Sequence, residues 1–191
     1  MKLSKNLSLS EMTKSQTASR KGIDNIPTPE HIENMKIFAG KIFQPIRDHF
    51  GVSISISSGY RSKSLNKAIG GAHKVVDGEY VATSQHCKGE AIDIDRDYAN
   101  APDNSQVFHY IKDNLDFDQL IWEFGNEENP SWVHVSYDTD GSQRGKILVA
   151  YKNKSGKTEC LFVQDPGATW DSALLMAGVQ RHMKIHSTRH T

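Results

Sequence analysis

Cysteine is scarce in this chain, with only Cys87 and Cys160 among 191 residues. Two thiols cannot make a disulfide framework, so the fold must rest on a buried core, and both cysteines are expected to be free. An excess of either charge sign is also missing. Lys plus Arg and Asp plus Glu each number 23, a formal net charge of zero. That balance removes the electrostatic footprint of a nucleic-acid binder and gives no reason to expect an anionic membrane surface as partner. No apolar run approaches the ~20 residues of a membrane span, so membrane insertion is not expected. Met1 to Lys14 carries lysines but no apolar stretch of the kind a secretory signal needs. The expectation is synthesis in the cytosol without a signal peptide. Internal repeats and low-complexity tracts are absent as well.

What is present is the composition of an ordinary folded unit, at a length that supports one sizeable core and leaves little room for a second. Residues 1–25, rich in Ser, Thr and Lys, are expected to form an arm draped on the domain or partly disordered. Residues 26–140 form the expected core domain. Residues 141–191 are expected to add strands and a helix packed on it.

Hydrophobic spacing sets the elements. Thr28-Pro29-Glu30 has the chemistry of a helix start: a hydroxyl cap, a proline at the first position and an acid at the positive end. Ile32, Met35, Phe38, Ile42 and Phe43 then recur at helical spacing. Pro45 should disturb this helix before it ends near Gly51. Val52 to Ser57 alternates strictly and predicts a strand, followed by a turn at Ser58-Gly59-Tyr60-Arg61. Ser62 to Ile69 predicts a short helix stopped by Gly70-Gly71. His73 to Ser84 is expected to be a polar loop with a turn at Asp77-Gly78.

Ala91 to Asp95 alternates isoleucines with carboxylates. A helix capped by Asp103 should bury Val107, Phe108, Ile111 and Leu115. Gln119–Phe124 and Trp132–Ser136 predict two strands joined by a polar loop. Lys146–Tyr151 and Glu159–Val163 predict a hairpin around Lys154-Ser155-Gly156-Lys157, and Asp171 to Lys184 predicts a terminal helix. The fold class is α+β, a mainly antiparallel sheet with flanking helices.

Chemistry concentrates in Ser84-Gln85-His86-Cys87-Lys88-Gly89-Glu90-Ala91-Ile92-Asp93-Ile94-Asp95. An imidazole and a carboxylate stand seven positions apart, with Gly89 between them to let the chain turn sharply. Trp132-Val133-His134-Val135-Ser136 puts a second imidazole on a strand, on the face of Trp132 and Ser136. Two histidines and one carboxylate suit a catalytic metal site with an open fourth position. A packed or solvent-facing histidine is the ordinary alternative for each. Cys87, on an extended chain, should point away. Asp95 shares the face of Asp93. His73, His109, His182, His186 and His190 match no ligand motif and are expected to be ordinary surface residues, and Trp122 and Trp132 suit core or site wall.

Ser84-x-His86, Gly89-x-Ala91-x-Asp93-Ile94 and Trp132-Val133-His134-Val135-Ser136, in this order, resemble the D-Ala-D-Ala metallopeptidase superfamily. That group includes D,D-carboxypeptidases, D,D-dipeptidases, phage L-alanyl-D-glutamate endopeptidases and the hedgehog signalling domain. Ser57-Ser58-Gly59-Tyr60-Arg61-Ser62 is similar to the family's substrate-binding arginine turn. The resemblance covers roughly residues 54–136. It implies a hedgehog/D,D-peptidase-like fold and one Zn²⁺ held by His86, Asp93 and His134. It also implies Arg61 as a substrate or oxyanion contact, with Tyr60 and Ser84 beside it.

Several members place a carboxylate three residues before the last histidine, where this chain has Ser131. The hedgehog domain carries its glutamate at the end of the preceding strand, and Asp118-Gln119-Leu120-Ile121-Trp122-Glu123 resembles that arrangement. This implies Glu123 as general base, with Glu127 and Glu128 as fallbacks.

The implied substrate is a peptidoglycan stem peptide or cross-link, and the implied state is a monomer. Leu9-Ser10-Glu11-Met12, Gly22 to Pro27 and Pro45-Ile46-Arg47 resemble phage-encoded members, which implies an endolysin released through a holin or a lysin carried by the virion. The departure at Ser131 keeps a different class open: a zinc-bearing binding or phage-tail module that hydrolyses nothing.

Overall fold

Alternation along three strands builds the sheet on which everything else rests. In the computed structural model, which describes residues 1–153 and 155–162, Ala91–Ile94 (β4), Gln119–Glu123 (β5) and Trp132–Ser136 (β6) run side by side. They occupy the middle of a six-stranded sheet of order β1-β4-β6-β5-β7-β8, completed by β1 (Ile56–Ser58), β7 (Lys146–Lys152) and β8 (Thr158–Phe162). Every pairing is antiparallel except β5 with β7.

Ile92, Ile94, Leu120, Trp122, Val133, Val135 and Val149 are buried in one continuous core with Met35, Phe38, Ile42, Phe43 and Ile46. Each such side chain withdrawn from water contributes roughly 1.5–3 kcal/mol. These core residues come from α3 (Pro29–Phe38), a π-helical turn at Ala39–Phe43 and α4 (Gln44–Phe50). Helix α6 (Asn104–Asn114) adds Val107, Phe108 and Ile111. Thr28 caps α3 by accepting from the His31 N–H.

The disturbance at Pro45 takes a specific form. Proline has no N–H to continue the α-helical ladder, and the turn before it widens, with the Gln44 N–H donating to the Ala39 carbonyl. The N-terminal residues form two short helices, α1 (Leu9–Thr13) and α2 (Gln16–Lys21), and Leu3, Leu7 and Met12 enter the core. Cys87 and Cys160 are free.

Two expectations are corrected. The strand after α4 covers only Ile56–Ser58, not Val52–Ser57. Its partner among the described residues, β4, stops at Ile94, and the pairing register shifts between Ile56 and Ser58, so the alternating residues before it have almost no ladder to join. The segment His73–Ser84 is not a plain loop. His73–Val76 (β2) and Glu79–Ala82 (β3) form a separate hairpin. Its turn is the expected Asp77-Gly78, with φ of 51° and 80°, the double left-handed geometry that matches strand twist.

The short helix α5 (Lys63–Ala68) precedes this hairpin, capped by Ser62. The tip residue Lys154, Val163, the terminal helix expected over residues 171–184, and His182, His186 and His190 lie outside the described residues.

Between β6 and β7 the chain passes around the start of β5. Buried Asp118 accepts from both the Nε (2.7 Å) and an Nη of Arg144 there, and its carbonyl accepts from the Lys146 N–H. That grip starts the parallel β5–β7 ladder in its register.

Candidate metal centre and cleft

Period-two alternation sends the other half of β4, β5 and β6 to the face opposite the core. Asp93, Gln119, Ile121, Glu123, Trp132 and His134 all line one open cleft of about 540 Å³ on that face. Asp93 pairs directly with His134, and His134 with Ile121, so a slip of one residue would turn His134 into the core. Glu123 pairs with Trp132, one diagonal step from His134, about 7–8 Å along the sheet.

His86 reaches the same point from a different element. It sits in a 3₁₀ turn, Gln85–Lys88, closed by Gly89 at φ 79°, and not on an extended chain as expected. A side chain at Gly89 would also meet the His31 carbonyl at 2.6 Å. The turn leaves Cys87 off the cleft lining.

The donor atoms converge. The Asp93 Oδ1 lies 2.9 Å from His134 Nδ1 and 3.2 Å from His86 Nε2, and the two imidazole nitrogens are 3.2 Å apart. His86 Nδ1 is 2.7 Å from the Gly59 carbonyl oxygen. That carbonyl can only accept, so Nδ1 carries the proton and Nε2 turns its lone pair to the cleft. Burial lowers the His86 pKa, keeping the ring in the neutral form a metal needs. Burial pushes the Asp93 carboxyl up, but the two imidazoles outweigh it and hold it well below the usual carboxylate range. Two imidazole nitrogens and one carboxylate oxygen, within 4.8 Å of one another, make a set that could hold a tetrahedral metal with one position open.

Arg61 borders the cleft, but its first partners are protein groups: an Nη donates to Asp93 Oδ2 at 2.6 Å and Nε to Ser58 Oγ at 2.9 Å. Glu123 is half-buried. Its desolvation, with the Asp93 carboxylate nearby, pushes its pKa up to about 6, and His134, Arg61 and a hydrogen bond from the Trp132 side chain moderate the rise.

Ser84 lines the cleft. Tyr60 does not. It is 4% exposed, its hydroxyl lies 3.1 Å from His31 Nδ1, and it borders a neighbouring depression shared with Arg61 and Asp95. Asp95 accepts from Asn104 Nδ2 and not from a candidate metal ligand. Glu127 and Glu128 lie in the β5–β6 loop, outside the cleft lining. Trp122 is core and Trp132 is wall.

Three contributors escaped the sequence reading. The Gly59 carbonyl orients His86, and Gly59 must be glycine because a Cβ there would meet the Met12 carbonyl at 2.3 Å. Ser58 orients Arg61. Gln119 reaches across the cleft floor to Gln85, Nε2 to Oε1 at 3.1 Å, and its place on the face of Ile121 and Glu123 was the available signal.

A family model described as Peptidase M15 matches residues 5–136. No curated protein matches the chain.

Proposed function

The chain belongs to the peptidase M15 family, zinc-dependent metallopeptidases of peptidoglycan-type peptides, and from that premise we propose that it hydrolyses a peptide bond in bacterial cell-wall stem peptides or cross-links. The observation that carries this reading is the convergence of His86 Nε2, Asp93 Oδ1 and His134 Nδ1 on the cleft that also holds Glu123.

In this reading His86, Asp93 and His134 hold one Zn²⁺. The fit rests on the donor set and on the Gly59 carbonyl, which presets the His86 tautomer. Bound there, the ion would supply Lewis acidity to polarise the scissile carbonyl and acidify a water.

Glu123 takes the proton of the attacking water on its carboxylate and later returns it to the leaving amine. A carboxyl that titrates near 6 suits both directions of transfer near neutral pH. The cleft's burial of Glu123 is thus part of its function. Arg61 braces Asp93 through one Nη and offers its other Nη to a carbonyl or carboxylate of the peptide, fixing its approach. Ser84 and Gln119 supply polar contacts along the cleft. Residues 26–140 act as the peptidase core, and the similarity of the N-terminal segments to phage-encoded members supports a role as an endolysin or virion-associated lysin.

One paired assay tests the reading. Purified protein is measured for bound zinc and then incubated with peptidoglycan while new free amines are counted and the products weighed. About one zinc per chain with amine release is expected. Zinc without amine release would leave a non-catalytic binding module, and amine release unaffected by Glu123→Gln would remove Glu123 as base.

A further inference from the structure

The N-terminal segment reaches the cleft through one side chain that does not itself line it. After α2 the Ile23 N–H donates back to the Ala18 carbonyl at 2.9 Å, which closes the helix and turns the chain. Asn25 then lies against the turn that carries Arg61, 35 residues from its partner Tyr60.

The Asn25 Oδ1 accepts from the Ser62 N–H at 2.7 Å. Its Nδ2 donates to the Tyr60 carbonyl at 3.0 Å and to the Thr13 carbonyl at 2.9 Å. A backbone N–H can only donate and a carbonyl can only accept, so the three partners fix which end of the amide faces which. An aspartate of the same size would accept from Ser62 but would face the two carbonyls with an oxygen that has nothing to donate.

The Tyr60 carbonyl belongs to the peptide group before Arg61, and the Ser62 N–H to the one after it. Planar peptide groups leave a residue only two soft dihedrals, and Asn25 pins the plane on each side of them. The same segment tightens this seat twice more. The Tyr60 N–H donates to the Met12 carbonyl at 2.7 Å, and Ser62 Oγ donates to the Asp24 carbonyl at 2.8 Å. From that backbone the Arg61 side chain extends to Ser58 Oγ and Asp93 Oδ2, and its N–H donates to the His86 carbonyl at 3.1 Å.

We infer that Asn25 is a positioning residue for Arg61, fixing the backbone from which the guanidinium reaches both the Asp93 carboxylate and the bound peptide. The peptide contact rests on the peptidase reading above, whereas the hold on Asp93 stands apart from it.

The test uses the full chain and the variants Asn25→Asp, Arg61→Ala and their combination. In the metal-free wild type, the Arg61 Nε–H held on Ser58 Oγ is expected to give a resolved signal in a proton–nitrogen correlation spectrum. In Asn25→Asp that signal should broaden or vanish. Zinc affinity, read by chelator competition, should fall about tenfold, as for a partner that orients a ligand. At saturating zinc, the peptide KM should rise about tenfold with kcat within about twofold, the pattern of lost binding. In the Arg61→Ala background, Asn25→Asp should change neither zinc affinity nor KM further, because the two residues act as one unit. Arg144→Ala, which destabilises the chain elsewhere, should leave the Arg61 signal, zinc affinity and KM at wild-type values.

An unchanged Arg61 signal in Asn25→Asp, additive losses in the double variant, or the same losses in Arg144→Ala would overturn the inference. So would the lack of the signal in the wild type, since Arg61 would then not be held. A wild type that binds zinc but cuts no peptide would remove the peptidase reading alone, and the Nε–H and zinc measurements would still decide the role of Asn25. Should Asn25→Asp fail to fold, Asn25→Ala takes its place, with the same results expected and the same results overturning.

Discussion

Arg61 donates to Asp93 Oδ2 at 2.6 Å, while the other oxygen of the same carboxylate faces His86 and His134. The arginine that the resemblance assigns to substrate therefore braces the carboxylate assigned to the metal. Its guanidinium neutralises the outer oxygen and holds the inner one toward the imidazoles.

Arg61→Ala is accordingly expected to weaken zinc binding by about 10–100-fold in addition to raising KM, because partners that orient a ligand carry that much affinity. Competition with a chromogenic chelator measures the first effect and peptide kinetics the second. An arginine that only gripped substrate would leave zinc affinity unchanged. Arg61→Lys, a single-point donor, should recover part of the metal affinity and little of the KM.

Glu123→Gln should keep the metal and lose hydrolysis by about 10²–10⁴-fold, the usual contribution of a positioned general base. Glu127→Gln and Glu128→Gln should stay near wild-type rates, since neither residue lines the cleft. Metal content and amine release, measured on the same preparations, distinguish the three.

The raised pKa of Glu123 has a cost in stability with a defined sign. The carboxyl titrates at about 6 in the folded chain and near its ordinary 4.5 when unfolded. Between those values the folded state binds more protons, so metal-free stability falls as pH rises. The penalty is absent below 4.5 and complete above 6, at most about 2 kcal/mol. Metal-free Glu123→Gln should therefore be more stable than wild type by about 1–2 kcal/mol near pH 7.5, with no advantage near pH 4. Denaturant titrations at the two pH values check this, and an equal gain at both would separate the effect from ionisation.

Chelation should abolish hydrolysis and lower the thermal midpoint, and added zinc should restore both. At a free metal concentration about a thousandfold above its dissociation constant, linkage predicts roughly 4 kcal/mol of stabilisation. His86→Ala, which removes a buried donor, should lose both the activity and the zinc-dependent shift in calorimetry.

Arg144→Ala should destabilise the chain by about 2–3 kcal/mol without altering zinc content, because it strands the buried Asp118 carboxylate. Asp118 belongs to the motif that led to Glu123, yet it serves the β5–β7 register and not the cleft. Urea unfolding measures the loss, and a fall in bound zinc would contradict the assignment.

Much of this molecule is decided by local pattern. Alternation in Ala91–Ile94, Gln119–Glu123 and Trp132–Ser136 dictates which side chains share the face of the core and which share the face of the cleft, because a strand's period is two wherever it is placed. Thr28-Pro29 and Asp77-Gly78 dictate a helix start and a tight turn through their own backbone chemistry.

Other features depend on contacts between segments far apart in sequence, to which local pattern is blind. Val52–Ser55 alternates as a strand should, but among the described residues only Ser55 is engaged by β4's continuation, its carbonyl accepting from the Asp95 N–H. The Gly59 carbonyl sets the tautomer of His86 from 27 residues away. Tyr60 and Arg61 are neighbours in one motif, yet the fold turns the first toward His31 and the second onto Asp93. Residue types and spacing marked His86, Asp93 and His134 as a candidate set, and the family resemblance singled them out and added Glu123. Only the sheet register and the 3₁₀ turn decide that the atoms of His86, Asp93 and His134 meet and that Glu123 lines the same cleft, because hydrogen-bond geometry and burial are properties of the packed chain.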